Sequence, residues 1–366
     1  MEWAEYTRIL LEKCKNSGTP SSATFELTPF CNFNCNMCYI HLSPDQAKKQ
    51  GESLTTEQWL HIAEEVKKLG TLGLEITGGE AVTRPDFPEL YESFIKMGFL
   101  ISLRSNGYLL NGDLLQLLVK YKPRGIWITL YGASNETYKK ITGIDNGFTV
   151  VTHNILALRE AGITPSLSVT LTKDNIADKA KIVEWAIKND FFITLFGGLI
   201  NPIRSAKRSV DHLRVDFESE YDISDIELPF REIHNREKYK SPFWMCREFG
   251  TKFCITWDGR MTLCNCLPSI WSSPLSQGVN DAYGTLYNKL KAVKRPADCA
   301  DCQYIDFCGA CPSQLLSATG SHEQTCKELC MRAERSYRRF LFNTPQNAHV
   351  NYNEEYMECG EGENNQ

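Results

Sequence analysis

The sequence predicts an α/β fold: a partial (β/α)6 barrel of the TIM type, followed by a small cysteine-rich C-terminal domain. Three observations predict it. From about residue 23, short apolar strand patterns alternate with amphipathic helical patterns until six strands have passed. Strands joined through helices pair in parallel, which gives a sheet covered on one face or curled into a partial barrel. After residue 246 the alternation stops and closely grouped cysteines take its place.

The elements follow in order. Residues 1–22 read as a lead-in helix with Tyr6, Ile9 and Leu10 on one face, ended by Gly18-Thr19-Pro20. The first strand runs into Phe25–Leu27, and Pro29 stiffens its exit by fixing φ. Thr55-Thr56-Glu57-Gln58 has the form of a capping box. Trp59, Ile62, Ala63, Val66 and Leu69 then mark a helical face that stops at Gly70. Strands are expected at Leu72–Thr77, Phe99–Arg104, Gly125–Tyr131, Pro165–Leu171 and Phe191–Phe196. Helices are expected at Phe87–Met97, Asp113–Lys120, Thr149–Ala161 and Ile176–Lys188. The barrel is assigned to 23–205, a bridging region to 206–245, the cysteine-rich domain to 246–342 and a disordered acidic tail to 343–366.

Bulk properties narrow the function. The chain has 366 residues, a net charge of −5 and 42% hydrophobic residues. An acidic balance argues against a nucleic-acid partner, and no apolar run reaches the length of a membrane span. The start, Met1-Glu2-Trp3-Ala4-Glu5, carries acid where an export signal carries base, so a cytoplasmic protein is expected. Fifteen cysteines grouped as C-x2-C and C-x3-C fit metal binding in a reducing compartment better than disulfides.

The chemistry concentrates at Cys31, Cys35 and Cys38, spaced C-x3-C-x2-C in the loop after strand one. Three thiolates can hold three corners of a cubic iron–sulfur cluster and leave one iron without a protein ligand. A closed zinc site wants four ligands, so a zinc loop completed from elsewhere is the alternative. The motif resembles the signature of the radical S-adenosylmethionine (SAM) enzymes. In that family SAM ligates the open iron, an arrangement sensitive to oxygen, so an anaerobic host is expected. After strand two, Thr77-Gly78-Gly79-Glu80 is similar to the Gly-Gly-Glu motif that binds the amino group of SAM. By its residues alone it is also a plain turn, or glycines that let the backbone approach a ligand. After strand three, Ser105-Asn106-Gly107 stands where the family often reads Thr-Asn-Gly and contacts SAM. Met37 takes a place often aromatic in the family and associated with adenine; ordinary packing is the other reading. Thr129 to Tyr138 is like the family segment after strand four, with Leu130-Tyr131 replacing the usual Ile-Asp. Ser134 and Glu136 there read as a helix start.

The second cysteine set resembles the SPASM extension of radical SAM enzymes, which binds two auxiliary 4Fe–4S clusters. Cys246 and Gly259-Arg260-Met261-Thr262-Leu263-Cys264 form C-x12-G-x4-C, and Cys299, Cys302, Cys308 and Cys311 form C-x2-C-x5-C-x2-C. The family's last spacing is x3, a departure of one residue, and paired C-x2-C knuckles also occur in zinc ribbons. The resemblance implies Cys246, Cys264 and Cys311 for the first auxiliary cluster, with Cys254, Cys266 or an open iron completing it. It implies Cys299, Cys302, Cys308 and a late cysteine for the second. Cys330, expected to open a final helix at Met331–Phe342, is preferred there to Cys326. Three 4Fe–4S clusters, SAM and a flavodoxin- or ferredoxin-type electron donor follow from the resemblance. Sulfatase-maturing relatives place an Asp after the G-x4-C cysteine as a base; here it is Asn265, whose amide cannot take a proton. The expected function is therefore maturation of a ribosomally made peptide, by a thioether or carbon–carbon crosslink. A small-molecule radical SAM oxidoreductase and a non-catalytic zinc or iron–sulfur protein remain as alternatives. Arg204, Lys207 and Arg208 form a basic stretch that suits an acidic leader peptide or simple solvation.

Overall fold

The computed structural model describes residues 9, 12–14, 16–204, 209–215, 241–243, 246 and 249–343. Tyr6 and Leu10, Lys207 and Arg208, most of the bridging region, and the tail from 344 with Cys359 lie outside the described residues.

Six parallel strands form the frame: β1 (Ser22–Glu26), β2 (Gly73–Thr77), β3 (Leu100–Ser105), β4 (Gly125–Thr129), β5 (Ser166–Thr170) and β6 (Ile193–Phe196). They pair in sequence order. The sheet does not end at β1. Strand β7 (Lys252–Ile255) joins it in parallel, with Ser22 opposite Lys252 and Phe25 opposite Ile255. The antiparallel strands β8 (Met261–Thr262) and β9 (Trp271–Ser272) follow, so one nine-stranded sheet runs from the barrel into the cysteine-rich region.

Alternation separates the two faces. Ala23, Phe25, Leu74, Ile76, Ile126, Ile128, Leu167 and Val169 are buried on the face that the helices cover. Phe25 meets Trp59 and Phe94 at ring separations of 5.0 and 5.6 Å. These rings belong to α2 (Thr56–Lys68) and α3 (Phe87–Lys96). The other face is polar. Glu75 pairs with Arg104 at 2.9 Å and Lys252 at 3.7 Å, and the Thr129 and Ser168 hydroxyls lie 3.3 Å apart. Parallel strands buried on both faces read as continuous apolar runs. These strands alternate because only one face is buried under helices.

Local signals account for most helices. Thr55 caps α2 and Gln58 returns the bond, as the capping box predicts. Ser134 caps α5 (Asn135–Thr142), accepting from the Thr137 N–H at 3.1 Å. Helices α4 (Gly112–Lys120), α6 (Gly147–Glu160) and α7 (Lys179–Lys188) lie within a few residues of their expected bounds. Helix α1 (Pro44–Gln50) was not anticipated, although Ser43 and Gln46 form a capping box that marks it. The C-terminal helices are α8 (Pro274–Gln277), α9 (Val279–Lys291), α10 (Pro312–Thr319) and α11 (Lys327–Asn343). Helix α11 begins at Lys327, so Cys330 lies inside its first turn instead of opening it, with its N–H bonded to the Cys326 carbonyl at 3.0 Å. Glu328 near the helix N-terminus favours the earlier start. Helix α9 packs back on the barrel: the Val279 N–H donates to Glu65 at 2.8 Å and the Tyr287 hydroxyl to the Lys252 carbonyl at 2.7 Å.

Candidate active site

The loop carrying Cys31, Cys35 and Cys38 leaves the carboxyl end of β1, where ligands gather in such sheets. Protein groups fix it on both sides. The Gly79 and Glu80 N–H groups donate to the Thr28 and Phe30 carbonyls at 2.7 and 2.8 Å. A Cβ at Gly79 would overlap the Phe30 carbonyl, so the chain requires glycine there for the approach of one loop to another. On the far side the Asn34 and Asn36 N–H groups donate to Thr142 and Ile141 in α5, and the Asn36 amide reaches Asp174 at 2.8 Å. Phe33 packs edge-on against Tyr108 and Tyr131.

The three thiols are close enough to feel one another. Burial, aided by Glu80 and Cys38, pushes the Cys31 thiol up to about 12 against the pull of the Phe33 N–H. Burial, with Cys38 and Cys31 adding to it, raises Cys35 further. Among the described residues, no three His, Cys, Asp or Glu side chains converge as ligands of a single metal ion. A cluster separates its thiolates by the body of the iron–sulfur cube, and its charge makes such thiols ionise outright.

Glu80 and Asn106 join this loop. Glu80 is buried, and one carboxylate oxygen accepts the Asn106 N–H at 2.7 Å. The other, Oε1, is buried with no partner. Burial raises its pKa to about 7, opposed by the Asn106 N–H and the Ser105 hydroxyl. The Asn106 amide donates to Asn32 at 2.8 Å and lies 3.7 Å from the Cys31 sulfur. Ser105 accepts the Gly107 N–H at 3.0 Å, and Asn154 holds the Gly107 and Tyr108 carbonyls at 2.9 Å each. Thus Cys31, Asn32, Glu80, Ser105 and Asn106 form one bonded group. The vacant Glu80 oxygen fits an ammonium donor such as the amino group of SAM. An open cleft of about 500 Å³ is lined by Thr28, Phe30, Cys31, Asn32 and Thr83 among others. Met37 is buried in the core. Tyr131 lies outside the site residues that the sequence motifs mark; its hydroxyl hydrogen-bonds Cys35. The departure at Leu130-Tyr131 was the signal for it.

The later cysteines form two groups. Cys299, Cys308, Cys326 and Cys330 line a cavity of about 40 Å³ together with Arg295. Cys302 is near enough to raise the pKa of Cys308 and Cys330. The second group gathers around Cys266, which hydrogen-bonds Cys264 and Tyr39 and feels the charge of Cys311. Cys311 caps α10, its sulfur 2.9 Å from the Ser313 hydroxyl. Cys254 faces away from the apolar side of β7, as its strand position predicts, and its thiol donates to the side-chain amide Oδ1 of Asn265 at 3.2 Å. Burial pushes it up to about 12. Cys246 stands near Tyr287, whose phenol is raised by burial and the neighbouring Tyr283, with Cys246 adding to it. Arg204 is not part of a solvated basic surface: its side chain is 2% exposed and pairs with the buried Glu26.

Comparison with known proteins adds to this geometry. Residues 25–186 match the family model described as the Radical SAM superfamily. The sporulation killing factor maturation protein SkfB of Bacillus subtilis is 24% identical over 302 residues, covering 79% of this chain and 70% of SkfB. The AdoMet-dependent heme synthase of Methanosarcina barkeri is 24% identical over 335 residues, covering 84% of this chain and 95% of that protein. Among solved structures, Streptococcus suis SuiB bound to S-adenosylmethionine shares the fold, with a TM-score of 0.66 at 16% identity, over 89% of this chain and 81% of SuiB.

Proposed function

The chain belongs to the radical SAM superfamily, and from that premise we propose that it is a maturase acting on a ribosomally made peptide. When bound, a reduced iron–sulfur cluster would pass one electron to SAM, breaking a carbon–sulfur bond to release methionine and a 5′-deoxyadenosyl radical that would take a hydrogen atom from carbon. Cys31, Cys35 and Cys38 would hold that cluster through three thiolates and would leave one iron for SAM. Glu80 accepts the amino group of SAM, and Asn106 fixes the carboxylate by donating its N–H. Asn32 ties Asn106 back to the cysteine loop, so ligand and thiolates are positioned by one network. Phe33, Tyr131 and Tyr138 form an apolar wall behind Cys35 that keeps water out.

The reading extends to the C-terminal region. Residues 23–205 are the catalytic barrel, 206–245 a bridge and 246–342 a SPASM domain, preceded by a lead-in helix and followed by an acidic tail. Cys246, Cys264 and Cys311 hold the first auxiliary cluster with Cys254 or Cys266. Cys299, Cys302 and Cys308 hold the second with Cys330 or Cys326; both line its cavity. Three clusters call for a reducing compartment, the cytoplasm, and for a flavodoxin- or ferredoxin-type donor. No helix of the described residues is long and apolar enough to cross a membrane.

The observation that carries the substrate class is the similarity to SkfB over 79% of this chain. SuiB, which shares the fold, has also been solved bound to precursor peptide SuiA. The product is then a thioether or carbon–carbon crosslink. A small-molecule reading is favoured by one observation, the similarity to a heme synthase over 95% of that protein's length. A sulfatase-type reading loses support at Asn265, whose amide is committed to Cys254 and Glu26.

The test is anaerobic reconstitution, then SAM and dithionite with deoxyadenosine followed by mass spectrometry. Wild type should form deoxyadenosine and carry about twelve irons if three four-iron clusters are present. The Cys31/Cys35/Cys38→Ala variant should form none and lose roughly four. Candidate precursor peptides and a porphyrin substrate are then compared: a mass loss of two hydrogens in a peptide supports the maturase, and turnover of the porphyrin alone overturns it.

A further inference from the structure

Arg204 is a buried cation with more donors than acceptors. Its side chain is 2% exposed, and its bond to Glu26 occupies Nη1. Nε and Nη2 are buried with no partner. A guanidinium carries five donors in a rigid fork, and a buried charged donor left empty is costly. The fold nevertheless builds a frame for it. Glu26 is itself held by the Asn265 amide at 3.2 Å, and Asn265 lies between Cys264 and Cys266 in the chain. The neighbouring Ile203 N–H donates to the Tyr39 carbonyl at 3.1 Å, and the Tyr39 hydroxyl bonds Cys266.

Besides Glu26, the groups close enough to act on the Arg204 charge are Cys254, Asp258 and Cys266, with the cation Arg260 opposing them. Asp258 is already paired with Arg260 and bonded to Thr256. The sulfur groups are what remains. A cluster held there is anionic and carries sulfur acceptors around its surface.

We propose that Arg204 is the outer cation of the first auxiliary cluster, with its free N–H groups directed at the sulfur atoms, and that it raises this cluster's reduction potential above that of the cluster on Cys31, Cys35 and Cys38. This rests on the reading of Cys264 and Cys311 as cluster ligands. A nearby positive charge and hydrogen bonds to sulfur stabilise the reduced, more negative form. The surroundings of the other loop have the opposite sign, since the buried Glu80 carboxylate faces Cys31. Arg295 stands beside Cys299 in the second auxiliary group, so both later sites have a cation where the first has an acid.

The test is a potentiometric titration followed by electron paramagnetic resonance, without SAM, on reconstituted protein with iron and sulfide counted. Wild type gives the midpoint of the cluster on Cys31, Cys35 and Cys38, which should lie below the auxiliary one, and the Cys31/Cys35/Cys38→Ala background isolates the auxiliary signals. Arg204→Gln should keep its iron and lower one auxiliary midpoint by about 59 mV or more, a tenfold change for one electron. Arg204→Lys should restore much of that shift. Glu26→Gln, which frees the arginine of its counter-ion, should move the same midpoint upward. Full iron in Arg204→Gln with both midpoints unmoved overturns the proposal. If Arg204→Gln loses a cluster, Glu26→Gln decides, and an unmoved or lowered midpoint overturns it. Wild type holding only about four irons refutes the cluster assignment itself, and the proposal with it.

Discussion

The two cysteine regions are built in opposite ways. Cys31, Cys35 and Cys38 lie within eight residues of one loop, clamped by backbone bonds to the Gly79-Glu80 segment and to α5. The later cysteines are spread from 246 to 330, among short strands and single turns at Ala297–Cys299 and Ile305–Phe307. The first region is organised by protein contacts and offers its thiols ready-made. The second has little regular structure around Cys299, Cys302 and Cys308, so under the proposed cluster reading a bound group would supply part of its fold. One site is preorganised, and the other is assembled.

The largest effect that can break this contrast is metal removal. Under anaerobic chelation, limited proteolysis should cut 296–326 well before 22–196, and the far-ultraviolet signal of the barrel should persist. Cleavage of the Cys31–Cys38 loop first would mean that it too depends on its cluster. Next is Glu80→Gln, which keeps the shape and removes the charge. Losing a charge-assisted bond worth about 1.5–3 kcal/mol should weaken SAM binding roughly ten- to a hundredfold, with iron content unchanged. Equal SAM affinity in the variant would remove Glu80 from the site. The smallest effect is on pH. Because burial lifts the Glu80 pKa to about 7, SAM affinity should fall as pH drops through 7, when the carboxyl becomes neutral. Stability of the ligand-free protein should run the other way. The folded form holds this proton more tightly than the unfolded chain, so its contribution is full below the ordinary value of 4.5 and is lost as pH rises through 7. Both trends should flatten in Glu80→Gln.

What the sequence revealed follows the same contrast between local and assembled structure. Apolar periodicity, the Thr55 box and the Ser134 cap place strands and helices because each is decided within a few residues. The Cys31–Cys38 loop, Glu80 and Asn106 were legible for that reason too, as short motifs at successive strand ends. Pairings across long stretches of chain were not. Nothing near Lys252 says that β7 will join β1, and nothing in the stretch around Arg204 distinguishes a solvated cation from one buried on Glu26. Tyr131 was visible only as a departure from a family segment, and its bond to Cys35 depends on how two loops meet. The sequence pattern places the start of α11 four residues late, because Lys327 and Glu328 are polar and the expected helix begins at Met331.

The pairing of β1 with β7 also bears on how the protein is made. Ser21 hydrogen-bonds Thr251, 230 positions along the chain. A ribosome adding about 5–20 residues per second needs roughly 12–46 s to cover that distance. Until then the first strand can gain β2 on one side once that strand is made, but it leaves an open row of backbone donors and acceptors on the other. An unpaired edge of this kind is a template for pairing with other nascent chains. High-level expression should therefore favour inclusion bodies, and slower synthesis or a chaperone that shields the strand should raise the yield of folded enzyme.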